Sequence, residues 1–247
     1  MSPKNFRKLA VSLAMFAVVA LGASGVAKAD PFVFSQSGTI NGLPVSATAT
    51  ISGTAGTNSL TLVLTNTSLG HTSVSQALVG FQFTVCDAQG NPLTIVVTGI
   101  SAQTGRAISF NGTTTATDVG GTSAVDNLGW GVDSTLGVTA LGFTGLGTKP
   151  PDEAILGPAT SGLDYAGANN SITDSGPHQP FVMETATFTL TLSGNLPEGF
   201  CVCPDVTFFF NTDGTPLVNM PEPMSMLLFG TGLLGVGAAV RRRIRKN

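Results

Sequence analysis

The sequence predicts an all-β exported body, a β-sandwich or jelly roll, between two short terminal segments of different character. Three observations predict it. Apolar residues alternate with Ser and Thr at period two through much of residues 30–219. Gly and Asn turn signals separate these runs at strand-like spacing. No stretch of the body sustains a helical 3.6-residue period. Of 247 residues, 42% are hydrophobic and only 10% charged, against about 25% charged in an average soluble domain.

The elements follow in order. Val33 to Ile40 leads into Asn41-Gly42, a strong hairpin signal. The return strand, Val45 to Ser52, sets Val45, Ala47, Ala49 and Ile51 on one face and hydroxyl residues on the other. After a Gly53 to Asn58 loop, Ser59 to Asn66 turns Leu60, Leu62 and Leu64 inward. Val79 to Cys86 aligns Phe81, Phe83 and Val85. A turn over 87–92 precedes an apolar strand from Leu93 to Ile100, and Ala107 to Phe110 is a short one. Late in the chain, Phe181 to Leu192 places Phe188, Leu190 and Leu192 opposite Thr187, Thr189 and Thr191; Val206, Phe208 and Phe210 repeat the pattern. The strong strands flank a middle, 112–180, rich in Gly, Ser, Thr, Asn and Asp. Lys149-Pro150-Pro151-Asp152 reads there as a rigid turn, and Gly137 to Phe143 and Ala154 to Leu156 as short strands or loop anchors. A long loop in a compact domain often carries function.

Charge is segregated. From Asp30 to Met220 there are thirteen acids against two cations, Arg106 and Lys149, a net charge of −11; the other nine cations lie in the ends. Phosphate backbones are bound by clustered Lys and Arg, so nucleic acid is excluded as a partner. At the start, Lys4, Arg7 and Lys8 precede the thirteen-residue apolar run Leu9 to Leu21. Ala27 and Ala29 then put small side chains where signal peptidase needs them, which predicts a signal peptide over 1–29. Thirteen residues fall short of the roughly 20 that span a bilayer.

The last segment, 220–247, has three parts. Pro221, Glu222 and Pro223 come first. Met224 to Val240 follows, seventeen residues without a charge, about 25 Å long as a helix. Arg241, Arg242, Arg243, Arg245 and Lys246 close the chain and, by the positive-inside rule, hold that end in the cytoplasm. The prolines keep the triplet extended, just outside the membrane. This tail resembles the PEP-CTERM sorting signal of bacterial exosortase substrates; its one departure is Met224, where a small hydroxyl residue is frequent. The resemblance implies that an exosortase-type membrane protease recognises the tail and cuts near the triplet. The body then passes to the cell surface or extracellular matrix of a Gram-negative bacterium that makes exopolysaccharide.

Cys86, Cys201 and Cys203 all lie in the exported part, where disulfides are expected. Cys201 and Cys203 stand two apart, so a bond between them is strained. The expected bridge joins Cys86 to one of them and, by loop closure, contributes roughly 4–5 kcal/mol. The third thiol is left free or linked to another chain. A metal reading of Cys201-Val202-Cys203 lacks two more ligands, because His71 and His178 are remote. Both histidines read as solvated loop residues.

Signs of catalysis are sparse, and no cofactor is implied. No nucleophile elbow or phosphate loop occurs. Asp152, Glu153, Glu184 and Glu198 are acids a glycosidase would need to pair. Asp205 and Asn211 to Gly214 read as polar turns rather than a full calcium loop. Trp130 and Tyr165, the sole Trp and Tyr, are candidate stacking platforms for a sugar. The expectation is therefore a non-catalytic surface or matrix protein associated with exopolysaccharide. A carbohydrate-binding sandwich is the alternative; a glycoside-active enzyme is the weakest reading.

Overall fold

The Asn41-Gly42 hairpin forms as its residues require. Both take positive φ, 52° and 78°, the geometry of the two-residue turn that matches strand twist. It joins β1 (Phe32–Ile40) to β2 (Leu43–Gly53) in an unbroken antiparallel register. The structure, a computed structural model, describes residues 31–119, 128–133, 137–140, 153–174 and 178–217. The segment read as a signal peptide, with Ala27 and Ala29, lies outside the described residues, as do the turn expected at Lys149 to Asp152, the Pro221-Glu222-Pro223 triplet, the apolar span 224–240 and the cluster Arg241, Arg242, Arg243, Arg245 and Lys246. Among the described residues no helix is long and apolar enough to cross a membrane.

The described chain is all-β. β3 (Ser59–Asn66) pairs with β2, and β11 (Phe181–Leu192) pairs with β3. On its other side β11 pairs with β6 (Val97–Ser109), which carries the two-residue β7 (Thr117–Asp118). A second arm hangs from the start of β11. There β10 (Ile155–Leu156) runs parallel to Val182 and Met183 and also touches β4 (Leu78–Gln82). β4 is flanked by β13 (Thr207–Phe210), with β14 (Thr215–Pro216) beyond it, and by the hairpin of β8 (Trp130–Asp133) and β9 (Gly137–Ala140). A separate two-stranded ladder joins β5 (Val85–Cys86) to β12 (Cys201–Val202).

The handover from the first arm to the second sits at one point on β11. Pairing with β3 begins at Thr185, pairing with β10 ends at Met183, and Glu184 between them has φ of 60°. The register against β6 also shifts between Met183 and Ala186. A bulge bends a strand and sharpens its twist, which lets one strand feed two arms. Asn66, fully buried at the end of β3, seals the gap. Its amide donates to the carbonyls of Ile155 (2.7 Å) and Gln76 (2.8 Å), and its Oδ1 accepts from the Ser68 N–H (3.0 Å).

Two cores result. In the first, Ala49, Leu62 and Phe188 of one arm share a cluster with Phe81, Val138 and Phe208 of the other. The outer face of the first arm is hydroxyl-lined. Ser35, Thr48, Thr65 and Thr185 stand in one cross-strand row, with Thr65 and Thr185 hydroxyls 3.0 Å apart. β1, β2 and β3 contain no charged residue. The second core lies on the opposite face of the second arm. It gathers Val79, Leu156, Phe181 and Phe209 with Phe110, Tyr165 and Ile172. Residues 153–174, read above as part of a loop-rich middle, thus supply β10 to the sheet and then fold over it, with a single-turn helix α1 (Asn170–Thr173) capped by the Asn169 side chain.

Three expectations change. The strand expected from Val79 to Cys86 breaks at Phe83 and Thr84, because β4 and β5 belong to different ladders. The strand expected from Leu93 to Ile100 starts only at Val97 and runs on to Ser109, absorbing the short strand expected at 107–110. Along β11 from Thr187 to Leu192 the period-two reading holds, but in the second arm Leu78 to Phe81 and Phe208 to Phe210 are buried throughout. A strand covered on both faces reads as a continuous apolar run.

This separates two substitutions that a period-two reading would treat alike. Phe209→Ala should cost about 3–5 kcal/mol. Thr189→Ala, on the hydroxyl face, should stay within about 0.5 kcal/mol. Denaturant unfolding of the two variants checks this directly.

Candidate functional site

Four features carry the chemistry of the described body: a groove, a cysteine ladder, a buried histidine and two engaged aromatic rings. The groove, about 750 Å³, opens where β6 begins, between β5 and the β8–β9 hairpin. Phe83, Leu93, Ile95 and Val97 line it, with Leu192 and Asp133 at its wall. The four first-named side chains pack only partly against the first core, so the surface between them stays available. Mostly apolar recesses with a few polar groups are where small ligands bind. The apolar strand expected from Leu93 to Ile100 spans three of these residues, but its sequence does not show that they face a cavity.

Val85, also in the groove wall, directly precedes Cys86. Cys86 is bonded to Cys203, with Cα atoms 5.4 Å apart. This resolves the alternative left open by the spacing. Cys201 keeps its thiol, half-buried, donating to the Asp87 carbonyl at 3.0 Å. Asp87 closes the adjoining turn. Its Oδ1 accepts from the N–H groups of Gln89 and Asn91, and the Asn91 side-chain amide beside it holds its carboxyl below the usual carboxylate range.

Trp130 and Tyr165 do not serve as stacking platforms, because neither presents a face to solvent. Trp130 is 3% exposed; its indole N–H donates to the Glu153 carbonyl at 3.0 Å and its ring lies 5.0 Å from Phe188. The Gln103 amide grips its backbone from both sides, donating to the Trp130 carbonyl and accepting from its N–H. Tyr165 is 1% exposed, with its hydroxyl donating to the Gly157 carbonyl at 3.1 Å and Phe110 edge-on at 5.4 Å. Burial pushes its phenol above the usual range, and the Glu184 carboxylate adds to this. A buried aromatic with a polar tip finds a partner, which is what both rings do.

His71 corrects its expectation as well. It is 2% exposed, not solvated. Its Nε2 accepts from the Gly157 N–H at 2.8 Å, so the ring is neutral and its proton sits on Nδ1. Desolvation pushes its pKa down to about 4. Gly157 has to be glycine: a Cβ there would lie 2.2 Å from the Ser68 carbonyl oxygen and 2.7 Å from His71 Nε2. His178 lies half-buried beside Gln179.

Glu184 and Glu198 do not converge, and Asp152 lies outside the described residues. Glu184 sits at the bulge near the start of β11, and Glu198 is exposed beyond its far end. Roughly 25 Å of strand lies between, well over the ~5–9 Å that a glycosidase pair needs. Asp213 accepts from the Asn211 amide (2.8 Å) and the Thr215 hydroxyl (2.7 Å) within the β13–β14 turn, and Asp205 is exposed. Among the described residues no three His, Cys, Asp or Glu side chains are grouped to hold a metal. No family model, no curated protein and no solved structure matches the chain.

The His71 latch gives a pH dependence whose sign is set. The folded pKa lies below the unfolded value of 6.5, so the unfolded chain binds the extra proton between the two. Stability from this group is complete above pH 6.5 and drains away as pH falls toward about 4, by roughly 3 kcal/mol in all. Denaturant midpoints across that range should show the loss in the native chain, and His71→Leu should flatten it. Gly157→Ala should destabilise at every pH by about 1–3 kcal/mol.

Proposed function

We propose that this chain is an exported, non-catalytic bacterial surface or extracellular-matrix protein that carries a C-terminal exosortase sorting signal and is deposited with exopolysaccharide. One observation carries the reading: nine of the eleven cations stand in the two ends, five of them directly behind a seventeen-residue uncharged span. Guanidinium groups behind an apolar helix resist transfer across lipid. The body is then held on the outer side of the inner membrane until Pro221-Glu222-Pro223 is processed. Signal peptidase acts after Ala29 and an exosortase-type protease near the triplet. A long-range disulfide suits an oxidising compartment.

We read the body's two arms, which share one core, as a β-sandwich. A carbohydrate-binding role is the second reading, and the uncharged hydroxyl face of β1, β2 and β3 favours it. Such a face exchanges hydrogen bonds with a neutral polyol and contributes no charge of its own. It takes the part that buried Trp130 and Tyr165 cannot.

The decisive experiment compares the mature C-terminus, by intact mass, in cells with and without the processing protease. Trimming near residues 221–223 and release are expected with the protease, and a membrane-held, untrimmed chain without it. Unclipped chain recovered from the cytosol overturns the proposal. Glu222→Ala should slow trimming if the Glu222 carboxylate pairs with a cation of the protease; unchanged trimming removes that pairing. Silence of the chain on a glycan array removes the carbohydrate reading alone.

A further inference from the structure

The three cysteines meet on one ladder. In the β5–β12 pair, Cys201 stands directly across from Cys86, and Val202 across from Val85. Directly opposed residues carry their side chains on the same face. Cys203, one residue past β12, supplies the sulfur to which Cys86 is bonded. Cys86 therefore has two cysteines within reach. Opposed Cα atoms in an antiparallel ladder lie about 4.5–5.5 Å apart, inside the ~4.4–6.8 Å window of a disulfide. Exposure differs between the three. Cys86 is fully buried and Cys203 is 7% exposed, while the free Cys201 is partly open to solvent.

We propose that Cys201 is a thiol–disulfide exchange site, open to small disulfides from solvent and able to displace Cys203 from Cys86. In the internal step the Cys201 thiolate attacks Sγ of Cys86. The Cys201–Cys86 bond forms as the Cys86–Cys203 bond breaks. The electron pair leaves on Cys203 Sγ, which takes up a proton. One disulfide and one thiol exist before and after, so no oxidant is consumed. Attack on Cys203 instead would join residues only two apart in sequence, in strained geometry; Cys86 is therefore the electrophile.

The two isomers close loops that differ by only two residues, so chain entropy does not choose between them. They differ in where the remaining thiol sits. With Cys86 bonded to Cys203 the thiol is the partly exposed Cys201, which an external disulfide can reach. With Cys86 bonded to Cys201 the thiol is Cys203, which is shielded. Exchange thus gates whether the body can be tethered through sulfur, while its long-range staple is kept in both states.

The test uses the full chain in oxidised form. It is held at about pH 8, where a free thiol is partly ionised, then quenched in acid, alkylated in denaturant and mapped by peptide mass spectrometry. Both linkages should appear, within about tenfold of one another, as near-equal loop closure implies. Cys203→Ser, oxidised with glutathione disulfide, should form the Cys86–Cys201 bond. Cys201→Ser should hold only Cys86–Cys203 and take up no glutathione. Recovery of Cys86–Cys203 alone from the native chain overturns the proposal. So does a Cys203→Ser chain with its β circular-dichroism spectrum intact and both remaining thiols alkylated. If that variant misfolds, the native map decides. Oxidation of purified chain in vitro gives the same readout, so a failure of the sorting reading leaves this test standing.

Discussion

One strand holds the body together, and it does so by changing partners midway. β11 pairs with β6 along nearly its whole length, with β3 over its second half and with β10 at its start. A central strand with its partner on one side replaced must leave backbone groups unpaired at the junction unless something fills the gap, and buried unpaired groups are costly. Asn66 fills it. Its amide reaches the carbonyls of Ile155 and Gln76, and its own carbonyl accepts from Ser68. The left-handed backbone at Glu184 marks the same corner. The second arm, with its groove and its second core, hangs from that junction.

The two cores follow different rules for a common reason. The first arm is covered on one face only, so its strands alternate Leu and Ala with Thr and Ser. The second arm lies between the first core and the segment around Tyr165 and Ile172, so Leu78 to Phe81 and Phe208 to Phe210 are buried at every position. The covering segment is locked by small polar contacts rather than by bulk: Tyr165 to the Gly157 carbonyl, the Gly157 N–H to His71, and the Trp130 indole N–H to the Glu153 carbonyl. Residue types that looked available for chemistry are spent on this locking. A neutral histidine accepting a backbone bond, in a site that disfavours its charged form, is a structural device.

Of what remains open to the outside, the groove and the cysteine ladder lie close together. The groove wall includes Val85, and the next residue belongs to the cysteine ladder. The hydroxyl face of the first arm lies on the opposite side of the sheet from the first core. A body with few charges, a hydroxyl-rich face and a covalent staple accords with a protein built to persist among neutral polymers, which is the proposed role. In that proposal the body's placement is the work of the two ends.

Much of the first arm was legible in the sequence because its physics is local. Asn41-Gly42 can take positive φ, and the alternation in Val45 to Ile51, Leu60 to Leu64 and Phe188 to Leu192 states which face is wet. The cysteine spacing limited the bridge to two options. The features read at the termini, a charged start before an apolar run and an apolar run before an arginine cluster, are likewise local in sequence. Tertiary structure alone decided the rest. It turned Trp130, Tyr165 and His71 inward, chose Cys203 over Cys201 for the staple, and covered the second arm on both faces. These outcomes depend on which segments lie over one another, and a residue's period along its own strand reports a single face. Phe209 stands at an apparently outward position and is buried, because its burial is set by Tyr165, Ile172 and their neighbours, far off in the chain.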